Sequence, residues 1–390
     1  MAIDGLALRI AIRLPGGAFC RAMILLLALA SLARGRGDSL GCVAYTNDVV
    51  PSVPWSIHVV KIDRARQEVR FCTTLGGGKW MGMGAVSDQL KAVPAEVGTP
   101  LAAINGDFYG KAKDYPGRAR DLQIRNGEVL TQPAGHVCFW IDRDGQPHMT
   151  NVYSRFRVIW PYGKDTPFGM NLARSNGAAV IYTAALGTST LTTGGLEYVL
   201  EQSPGKDWLP FHVGRIYSAR IRQVNLTGNS PLDSQTAVLS VAPELIHAVP
   251  ALKPGDTLQL ATETVPDLSG SQVAIGGGPS LVQDGRVMEW KGWIHVPQPR
   301  TALGWNRKYF YLVEVDGRQL DLSLGMTFTQ LAQYMLDLGC EQAMNLDGGG
   351  SATLWAFGEV RNSPSEGQER AAPNALVVVK PPVNQTTAAK

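Results

Sequence analysis

A single carboxylate followed by glycines and a hydroxyl is the part of the sequence best suited to chemistry. Asp347 precedes three consecutive glycines, Gly348, Gly349 and Gly350, and then Ser351. Glycine permits positive φ, so successive N–H groups in such a loop can converge on an anion. An acid beside an anion-binding loop suits hydrolysis of a charged substrate. The alternative is a tight hairpin in which the glycines supply turn geometry and the aspartate caps the turn.

Two familiar glycine-containing motifs do not fit this stretch. A Walker loop requires Gly-Lys-Ser/Thr followed by a helix, and the stretch has no such lysine. A nucleophile elbow requires Gly-x-Ser-x-Gly, whereas Thr353 occupies the position of the last glycine. Neither nucleotide binding through a Walker loop nor a serine hydrolase elbow is therefore predicted.

The flanking segments indicate where the acid lies. Residues 342–344 and 354–357 are apolar or aromatic, which is typical of a strand on either side of the glycines. A second apolar strand, 101–104, leads into Asn105. Because side chains at strand ends leave the sheet, we expect Asp347 and the loop that begins at Asn105 to face a cleft.

Further short motifs follow a fixed order between about Ser56 and Val379. They are AINGDFY at 103–109, IGGGPSL at 275–281, PRTALG at 299–304, VDGR at 315–318, SxGxT at 323–327 and NLDGGGS at 345–351. Together these motifs resemble the phosphodiester glycosidase family, although each alone would be a weak signal. One departure is Asp107, which stands where many relatives carry glycine and adds a carboxylate near the site.

The resemblance implies a hydrolase whose substrate is a carbohydrate phosphodiester. It would cleave a sugar-1-phosphodiester, of the N-acetylglucosamine-1-phosphate type, at the bond from the anomeric carbon to oxygen, acting on envelope or extracellular glycans. Asp347 is then the candidate acid, base or nucleophile. Asp107 is its candidate catalytic partner, because glycoside hydrolysis commonly uses paired carboxylates.

The phosphate of such a substrate needs hydrogen-bond donors. Arg300 is the first candidate, because a guanidinium presents a planar fork of N–H groups; the alternative is a structural salt bridge. Arg318 is the second candidate. The neighbouring Thr301 and the amides of the three glycines complete the predicted substrate-binding set. Asn105 either contacts sugar hydroxyls or fixes its loop, and Ser351 either binds substrate or caps the turn.

The sequence predicts no metal centre and no cofactor. The six histidines show no HxH or HExxH spacing and no C-x-x-C occurs, so a tightly bound zinc ion is not expected. A calcium ion held by carboxylates and carbonyls stays open as an alternative. His295, which precedes the Arg300 motif, is more typical of a surface or structural histidine than of a catalytic one.

Composition narrows the classes of function. The 390 residues include 36 basic and 33 acidic side chains, and a net charge of +3 is too small to indicate nucleic acid or a membrane surface as a partner. The 43 glycines and 24 prolines indicate many turns. We predict an α+β fold with strand-rich mixed sheets and a few packed helices, arranged as one phosphodiester glycosidase-like domain over 43–380. A polar tail over 381–390 is predicted to be disordered.

The N-terminus is typical of a secretory signal peptide. Arg9, Arg13 and Arg21 supply a basic n-region, residues 22–33 are apolar, and the small residues near Ala33 suit cleavage. The apolar stretch is too short to span a bilayer comfortably, so no stable membrane span is predicted in the mature chain. The sequence therefore predicts a signal peptide over residues 1–33 and a secreted or periplasmic protein.

Local patterns predict several elements further along the chain. Residues 43–75 alternate between apolar and polar, which indicates strands. Residues 122–130 predict a hairpin through an Asn-Gly turn, and 280–287 repeats this pattern with Asp-Gly, a hint of internal duplication. Thr327 and Gln330 have the spacing of a capping box, which predicts the start of a helix.

The cysteines are too few for a disulfide scaffold. Cys42 and Cys72 lie on segments expected to become neighbouring strands, so they either pair in an oxidising compartment or stay as buried free thiols. Cys138 and Cys340 lie in apolar surroundings that are typical of a protein core.

Two other functions stay open from the sequence. One is a metal-dependent phosphodiesterase, which would cut the phosphorus–oxygen bond. The other is a non-catalytic protein that binds envelope glycans on the same scaffold. Hydrolysis in heavy-oxygen water separates the first from a glycosidase, and binding without turnover would favour the second.

Overall fold

The computed structural model describes residues 33–34, 38–110, 115, 117–290 and 296–382. The predicted signal peptide up to residue 32, the predicted tail from residue 383 and His295 lie outside the described residues. Among the described residues, none of the helices has the length and apolar character needed to cross a membrane.

The described part of the chain contains twenty-five strands and two α-helices. The strands are β1 (Ala33–Arg34), β2 (Asp38–Leu40), β3 (Val43–Val50), β4 (Trp55–Asp63), β5 (Arg70–Thr73), β6 (Thr99–Asn105), β7 (Gln123–Arg125), β8 (Glu128–Thr131), β9 (Ala134–Ile141), β10 (Pro147–Ile159), β11 (Thr166–Met170), β12 (Ala179–Tyr182), β13 (Leu196–Gln202), β14 (Ile216–Asn225), β15 (Ala237–Val241), β16 (Thr257–Val265), β17 (Val273–Gly276), β18 (Ser280–Gln283), β19 (Arg286–Val287), β20 (Arg300–Trp305), β21 (Tyr309–Val315), β22 (Gln342–Asn345), β23 (Leu354–Ala356), β24 (Glu359–Val360) and β25 (Ala375–Lys380). The helices are α1 (Val86–Lys91) and α2 (Phe328–Asp337), with short 3-10 helices at Pro243–Ala248 and Gly349–Ser351.

The balance of elements corrects the predicted fold class. Strands account for 44% of the chain and helices for 7%, so the fold is mostly β rather than α+β. The prediction of strand-rich sheets with few helices is confirmed. The physical reason is that alternating segments separated by glycine and proline turns dominate the sequence, while long segments of helical period are rare.

The strands form three sheets. Sheet I follows the order β1-β3-β4-β21-β20-β22-β18-β19, with β2 also paired to β3. Sheet II follows the order β11-β12-β15-β13-β14-β16-β10-β9-β17-β7-β8. Sheet III follows the order β24-β23-β6-β25-β5. The two strands that lead into the predicted site therefore belong to different sheets, since β6 lies in sheet III and β22 in sheet I.

Part of sheet II closes on itself. Strand β11 pairs with β12 on one side and with β10 on the other, so the consecutive strands β10 to β16 form a closed barrel. Large buried side chains such as Phe156, Tyr198, Phe211 and Tyr217 fill its interior. The strands β9, β17, β7 and β8 extend sheet II from the barrel towards the other sheets.

A common core joins the three sheets. Leu303 and Leu312 from sheet I, Ile104 and Leu376 from sheet III, and Phe139 from sheet II belong to one buried cluster. The packing fixes the ends of β6 and β22 relative to each other, because both strands contribute to this cluster.

Helix α2 confirms the predicted start signal. Thr327 is the N-cap: its side chain accepts from the backbone N–H of Gln330, and the Gln330 side chain accepts from the backbone N–H of Thr327. Leu331 and Met335 are completely buried in a cluster that includes Ile57 of sheet I. The helix therefore covers one face of sheet I behind the site.

The predicted hairpins are also confirmed. Strands β7 and β8 are joined by Asn126 and Gly127, whose φ angles are 51° and 84°. Strands β18 and β19 are joined by Asp284 and Gly285, whose φ angles are 51° and 70°. Positive φ at both central residues is the reason that Asn-Gly and Asp-Gly sequences favour this turn.

The considered pairing of Cys42 and Cys72 does not occur. Both are buried free thiols, as are Cys138 and Cys340. Cys42 lies just before β3 in sheet I, whereas Cys72 lies on β5 in sheet III, so the expectation of neighbouring strands was wrong.

Candidate active site

Asp347 lies just beyond the end of β22 and is half-buried. Its backbone N–H donates to the carbonyl of Gly106 over 3.1 Å, and its Oδ1 accepts from the backbone N–H of Gly348 over 2.9 Å. The first contact brings the two predicted loops together, because Gly106 directly follows the end of β6. The carboxyl group is therefore presented at a junction between sheets I and III.

Asn105 braces this junction. Its side-chain amide donates to the backbone carbonyl of Asp347 over 2.7 Å. Its Oδ1 accepts from the hydroxyl of Thr301 over 2.7 Å and from the backbone N–H of Thr353 over 3.0 Å. Asn105 and Thr301 are completely buried. Of the two roles predicted for Asn105, these contacts favour fixing the loop, and Thr301 supports it rather than facing the cleft.

Burial raises the pKa of the Asp347 carboxyl above its usual range. The Ser351 side chain, the Gly348 N–H, Arg370 and Arg120 act in the opposite direction but do not outweigh burial. A carboxyl group with a raised pKa exchanges a proton closer to neutral pH than an ordinary aspartate does. This property suits a general acid or base.

Asp107 lies deeper than Asp347. It is completely buried, its Oδ1 accepts from the N–H of Phe108 over 2.8 Å, and its Oδ2 accepts from the N–H of Asp121 over 2.7 Å. Burial raises the pKa of Asp107 to about 7, although Arg120 lowers it. A catalytic role for Asp107 stays a prediction, and its contacts favour positioning because both oxygens already accept backbone hydrogen bonds.

Arg120 connects the two aspartates and was missed from the sequence. One of its terminal nitrogens lies 3.9 Å from Asp107 Oδ1, and its positive charge also lowers the pKa of Asp347. The guanidinium donates to the carbonyl of Gly277 over 2.8 Å and lies 4.4 Å from the centre of the Phe108 ring. The two arginines at positions 118 and 120, close after the Asp107 loop, were the sequence feature that could have indicated a site residue here.

Asp121 forms the base of this cluster and was also missed. It is completely buried, and its Oδ2 lies 2.7 Å from Nδ1 of His136. Its Oδ1 accepts from the backbone N–H of Ala134 over 2.9 Å. Since Asp121 in turn donates its N–H to Asp107, these bonds fix the Asp107 loop against strand β9.

The glycine loop differs from the predicted anion nest. The amide of Gly348 is used by the Asp347 carboxyl, and that of Gly349 donates to the carbonyl of Pro299 over 2.9 Å. Two of the three amides are thus engaged within the protein, and Gly349–Ser351 folds into a 3-10 turn. The prediction that all three amides cradle the substrate has no support in this geometry.

The glycines instead make room for two arginines. A Cβ atom on Gly349 would lie 3.0 Å from a guanidinium nitrogen of Arg318, and one on Gly350 would lie 2.2 Å from a guanidinium nitrogen of Arg370. Arg318 is exposed and donates through Nε to Gln298 over 2.8 Å. Arg370 forms an ion pair with Glu366. It lies in a polar stretch without periodicity, which explains why the sequence did not reveal it.

Arg300 is buried behind this loop. Its Nε donates to the carbonyl of Met326 over 2.9 Å, and its guanidinium lies 4.0 Å from the centre of the Phe328 ring. Burial, and secondarily Arg318, lowers its pKa to about 10, so it stays cationic at neutral pH. Among the described residues it makes no ion pair with a carboxylate, so the alternative of a structural salt bridge is not realised.

Together these groups place one titratable carboxyl group among several guanidinium groups. Arg120 is close enough for its charge to lower the pKa of Asp347, and Arg318 and Arg370 lie against the glycine loop. Guanidinium groups bind phosphate oxygens with paired N–H donors. The arrangement can hold an anionic substrate beside a carboxyl group that exchanges protons.

Residues 225–379 match the family model described as phosphodiester glycosidase. This segment of the chain belongs to the phosphodiester glycosidase family. The matched segment includes Arg300, Arg318, Asp347 and the glycine loop, whereas Asn105 and Asp107 precede it. The resemblance drawn from the motifs is thereby confirmed.

Three further proteins are similar to this chain in sequence or in structure. A protein of the SPbeta prophage of Bacillus subtilis (strain 168), YomE, is 33% identical over 117 residues, which are 29% of this chain and 18% of that protein. The crystal structure of a hypothetical protein from Synechocystis superposes with a TM-score of 0.69 at 16% identity, covering 86% of this chain and 62% of that one.

A crystal structure from Burkholderia pseudomallei K96243 superposes with a TM-score of 0.61 at 19% identity, covering 85% of this chain and 74% of that one. These two structural similarities establish a shared fold. The chain spans less than two thirds of the YomE and Synechocystis proteins, at 18% and 62% of their lengths.

Proposed function

We propose that the protein is a secreted hydrolase that cleaves a sugar-1-phosphodiester, of the N-acetylglucosamine-1-phosphate type, at the bond from the anomeric carbon to oxygen. One observation carries this proposal. The half-buried carboxyl group of Asp347, whose pKa is raised by burial, lies near Arg120 and Arg370, and Arg318 lies against the glycine loop that follows it. Asp347, Arg318 and Arg370 belong to the segment that matches the family model.

Recognition of the phosphate is the role proposed for the arginines. The side chains of Arg318 and Arg370 lie against the glycine loop that follows Asp347, where guanidinium forks can donate to phosphate oxygens. Arg370 is paired with Glu366, so substrate binding would exchange a carboxylate partner for a phosphate partner. Arg300 lies behind them and adds an uncompensated positive charge.

The role proposed for Asp347 is to respond to the charge that develops at the anomeric centre. Positive charge develops on the sugar ring as the glycosidic bond breaks. A phosphate leaving group needs little protonation, so the carboxylate acts mainly by stabilising this charge or by activating water. Asp107 supports it indirectly, because it holds Arg120 while both of its own oxygens accept backbone N–H groups.

Export is part of the proposal and rests on the N-terminal sequence. The basic residues before the apolar stretch at 22–33 are the support for it. N-terminal sequencing of protein recovered from the medium or periplasm tests it. A mature chain that begins near residue 34 is expected, and a chain that retains residues 1–30 in the cytoplasm would contradict it.

A screen of sugar-1-phosphodiesters in heavy-oxygen water tests the reaction itself. The expected result is turnover with the label in the released sugar, which places cleavage at the carbon–oxygen bond. Label in the phosphate would instead indicate a phosphodiesterase that cuts the phosphorus–oxygen bond. Binding of the sugar phosphodiesters without turnover would indicate a glycan-binding protein.

A further inference from the structure

A second group of chemically capable side chains lies on sheet I. His58 on β4 pairs directly with Glu314 on β21, and Asp316 follows two residues after Glu314. Directly opposed residues and residues two apart share one face of a sheet, so the three side chains converge. One ligand atom from each lies within 4.8 Å of the others, and all three residues are buried.

His58 and Asp316 are held in fixed orientations. Nε2 of His58 lies 2.9 Å from Oδ2 of Asp316, and Nδ1 of His58 lies 2.8 Å from the hydroxyl of Tyr45. Oδ1 of Asp316 accepts from the backbone N–H of Ser363 over 2.7 Å. Histidines that bind metals typically hold their second ring nitrogen in such a hydrogen bond, which sets the orientation of the ring.

Glu314 provides the main evidence that a ligand binds in this group of side chains. It is 1% exposed, and neither of its carboxyl oxygens has a hydrogen-bond partner among the described residues. A buried polar group without a partner costs free energy that a folded protein normally avoids.

Among the described residues, His58 is the one possible cation in contact with the two carboxyl groups, through its 2.9 Å contact with Asp316. The guanidinium of Arg361 lies 4.8 Å from the centre of the Tyr45 ring, but it is ion-paired with Asp38 and Glu359. A divalent cation would match two carboxylates and a neutral imidazole with no residual charge. Its ligand set would be one nitrogen and two carboxylate oxygens, which suits first-row transition metals.

We propose that His58, Glu314 and Asp316 form a binding site for a divalent transition-metal ion of the Zn²⁺ type. Zn²⁺ holds nitrogen and oxygen ligands at about 2.0–2.1 Å, which places neighbouring ligand atoms roughly 3.3 Å apart. Nε2 of His58 and Oδ2 of Asp316 lie 2.9 Å apart as a hydrogen-bonded pair, so the ion would replace this contact with two metal–ligand bonds. His58 and Asp316 are 258 residues apart in sequence, so no short spacing motif could have joined the histidine to the two carboxyl groups.

The site is structural rather than catalytic in this proposal. Its three ligands are buried, and the ion would join β4, the end of β21 and the segment at Ser363. Asp316 lies two residues before Arg318, so the ion would also stiffen the strand end from which that arginine extends. The proposed metal site takes no part in the proposed hydrolysis, because none of its three ligands acts on the substrate.

Metal binding to the full chain tests the proposal directly. The purified protein is treated with chelator and dialysed, then titrated with Zn²⁺ or Ca²⁺ by calorimetry, with bound metal counted by mass spectrometry. We expect about one Zn²⁺ per chain, no matching uptake of Ca²⁺, and a Zn²⁺-dependent rise in melting temperature. Absorption at the zinc edge should show one imidazole and oxygen ligands.

Variants locate the ion. Glu314→Gln keeps the shape of the side chain and should weaken Zn²⁺ binding at least about tenfold. The control is His148→Gln, which removes an exposed histidine 2.7 Å from Asp142 and should bind Zn²⁺ like the wild type. If Glu314→Gln does not fold, Tyr45→Phe removes only the hydroxyl that orients His58 and should still weaken binding.

Failure of the wild type to bind Zn²⁺ would overturn the proposal. So would a folded Glu314→Gln protein that binds Zn²⁺ as the wild type does. These measurements detect metal and not hydrolysis, so either outcome leaves the proposed hydrolase activity to its own tests.

Discussion

The side-chain amide of Asn105 donates a 2.7 Å hydrogen bond to the backbone carbonyl of Asp347, and thereby joins the end of β6 to the end of β22. The two residues are 242 positions apart in sequence. Two further bonds, from Thr301 and Thr353, saturate the carbonyl oxygen of the same side chain. One buried amide therefore sets the position of the proposed catalytic carboxyl group.

Asn105→Ala should destabilise the fold and impair turnover. It removes two buried hydrogen bonds and one partly buried hydrogen bond and leaves their partners unpaired, so the free energy of unfolding should fall by roughly 2–4 kcal/mol. Urea denaturation measures this loss. Asn151→Ala is the control, since Asn151 is exposed and donates one bond to the Gly135 carbonyl; it should change stability by less than about 0.5 kcal/mol. Equal effects of the two substitutions would contradict the bracing role.

Asp107 should make stability depend on pH. Its folded pKa of about 7 lies above the ordinary value of about 3.9 for an unfolded chain. Between these values the folded protein keeps a proton that the unfolded chain has released, so stability falls as pH rises from about 4 to 7. Asp107→Asn should reduce this slope, measured by urea denaturation across that range. The exposed Asp267→Asn is the control and should keep the wild-type slope. An unchanged slope in Asp107→Asn would contradict the raised pKa of the buried Asp107 carboxyl in the folded protein.

Arg120 should control the protonation of Asp347. Its positive charge lowers the pKa of Asp347, so Arg120→Gln should raise that pKa. If the ionised carboxylate is needed, the acid limb of kcat/KM against pH should move to higher pH by about half a unit or more. Arg157→Gln, which removes an arginine paired with Glu263 on the barrel, should leave the limb in place. A shift to lower pH in Arg120→Gln would reject this coupling.

Gly350 should matter through Arg370. An added Cβ would lie 2.2 Å from a guanidinium nitrogen of Arg370 and 2.5 Å from Glu366 Oε1, so Gly350→Ala should displace this pair. Loss of one charge-assisted phosphate contact should raise KM about tenfold, with the melting temperature maintained. Arg370→Gln should have a similar effect, and the double variant should be little worse than either. Additive effects would show that Gly350 acts by another route.

Local sequence patterns predicted the parts of the site that depend on neighbours in the chain. The apolar strands before Asn105 and Asp347, the Asn126-Gly127 turn and the Thr327 capping box all depend on residues a few positions apart. Such patterns specify strand ends and turns because backbone conformation is set locally.

Contacts between distant segments could not be predicted in the same way. Closure of the barrel depends on β11 pairing with both β10 and β12, and the position of Arg370 depends on how its loop folds over Gly350. The glycine loop was predicted to bind an anion with its amides, but the Asp347 carboxyl and the Pro299 carbonyl already accept two of them. Arginines supply the donors there, which the glycine pattern alone does not reveal.

The turnover of Asp347→Asn tests the central claim most directly. The substitution keeps the size of the side chain but removes its charge and basicity, whereas the protein fold is held by the surrounding hydrogen bonds of Asn105 and by the apolar core. On a sugar-1-phosphodiester that the wild type cleaves, kcat should fall by roughly 10²-fold or more, with little change in substrate binding or melting temperature. A well-folded Asp347→Asn enzyme with near-normal turnover would contradict the account.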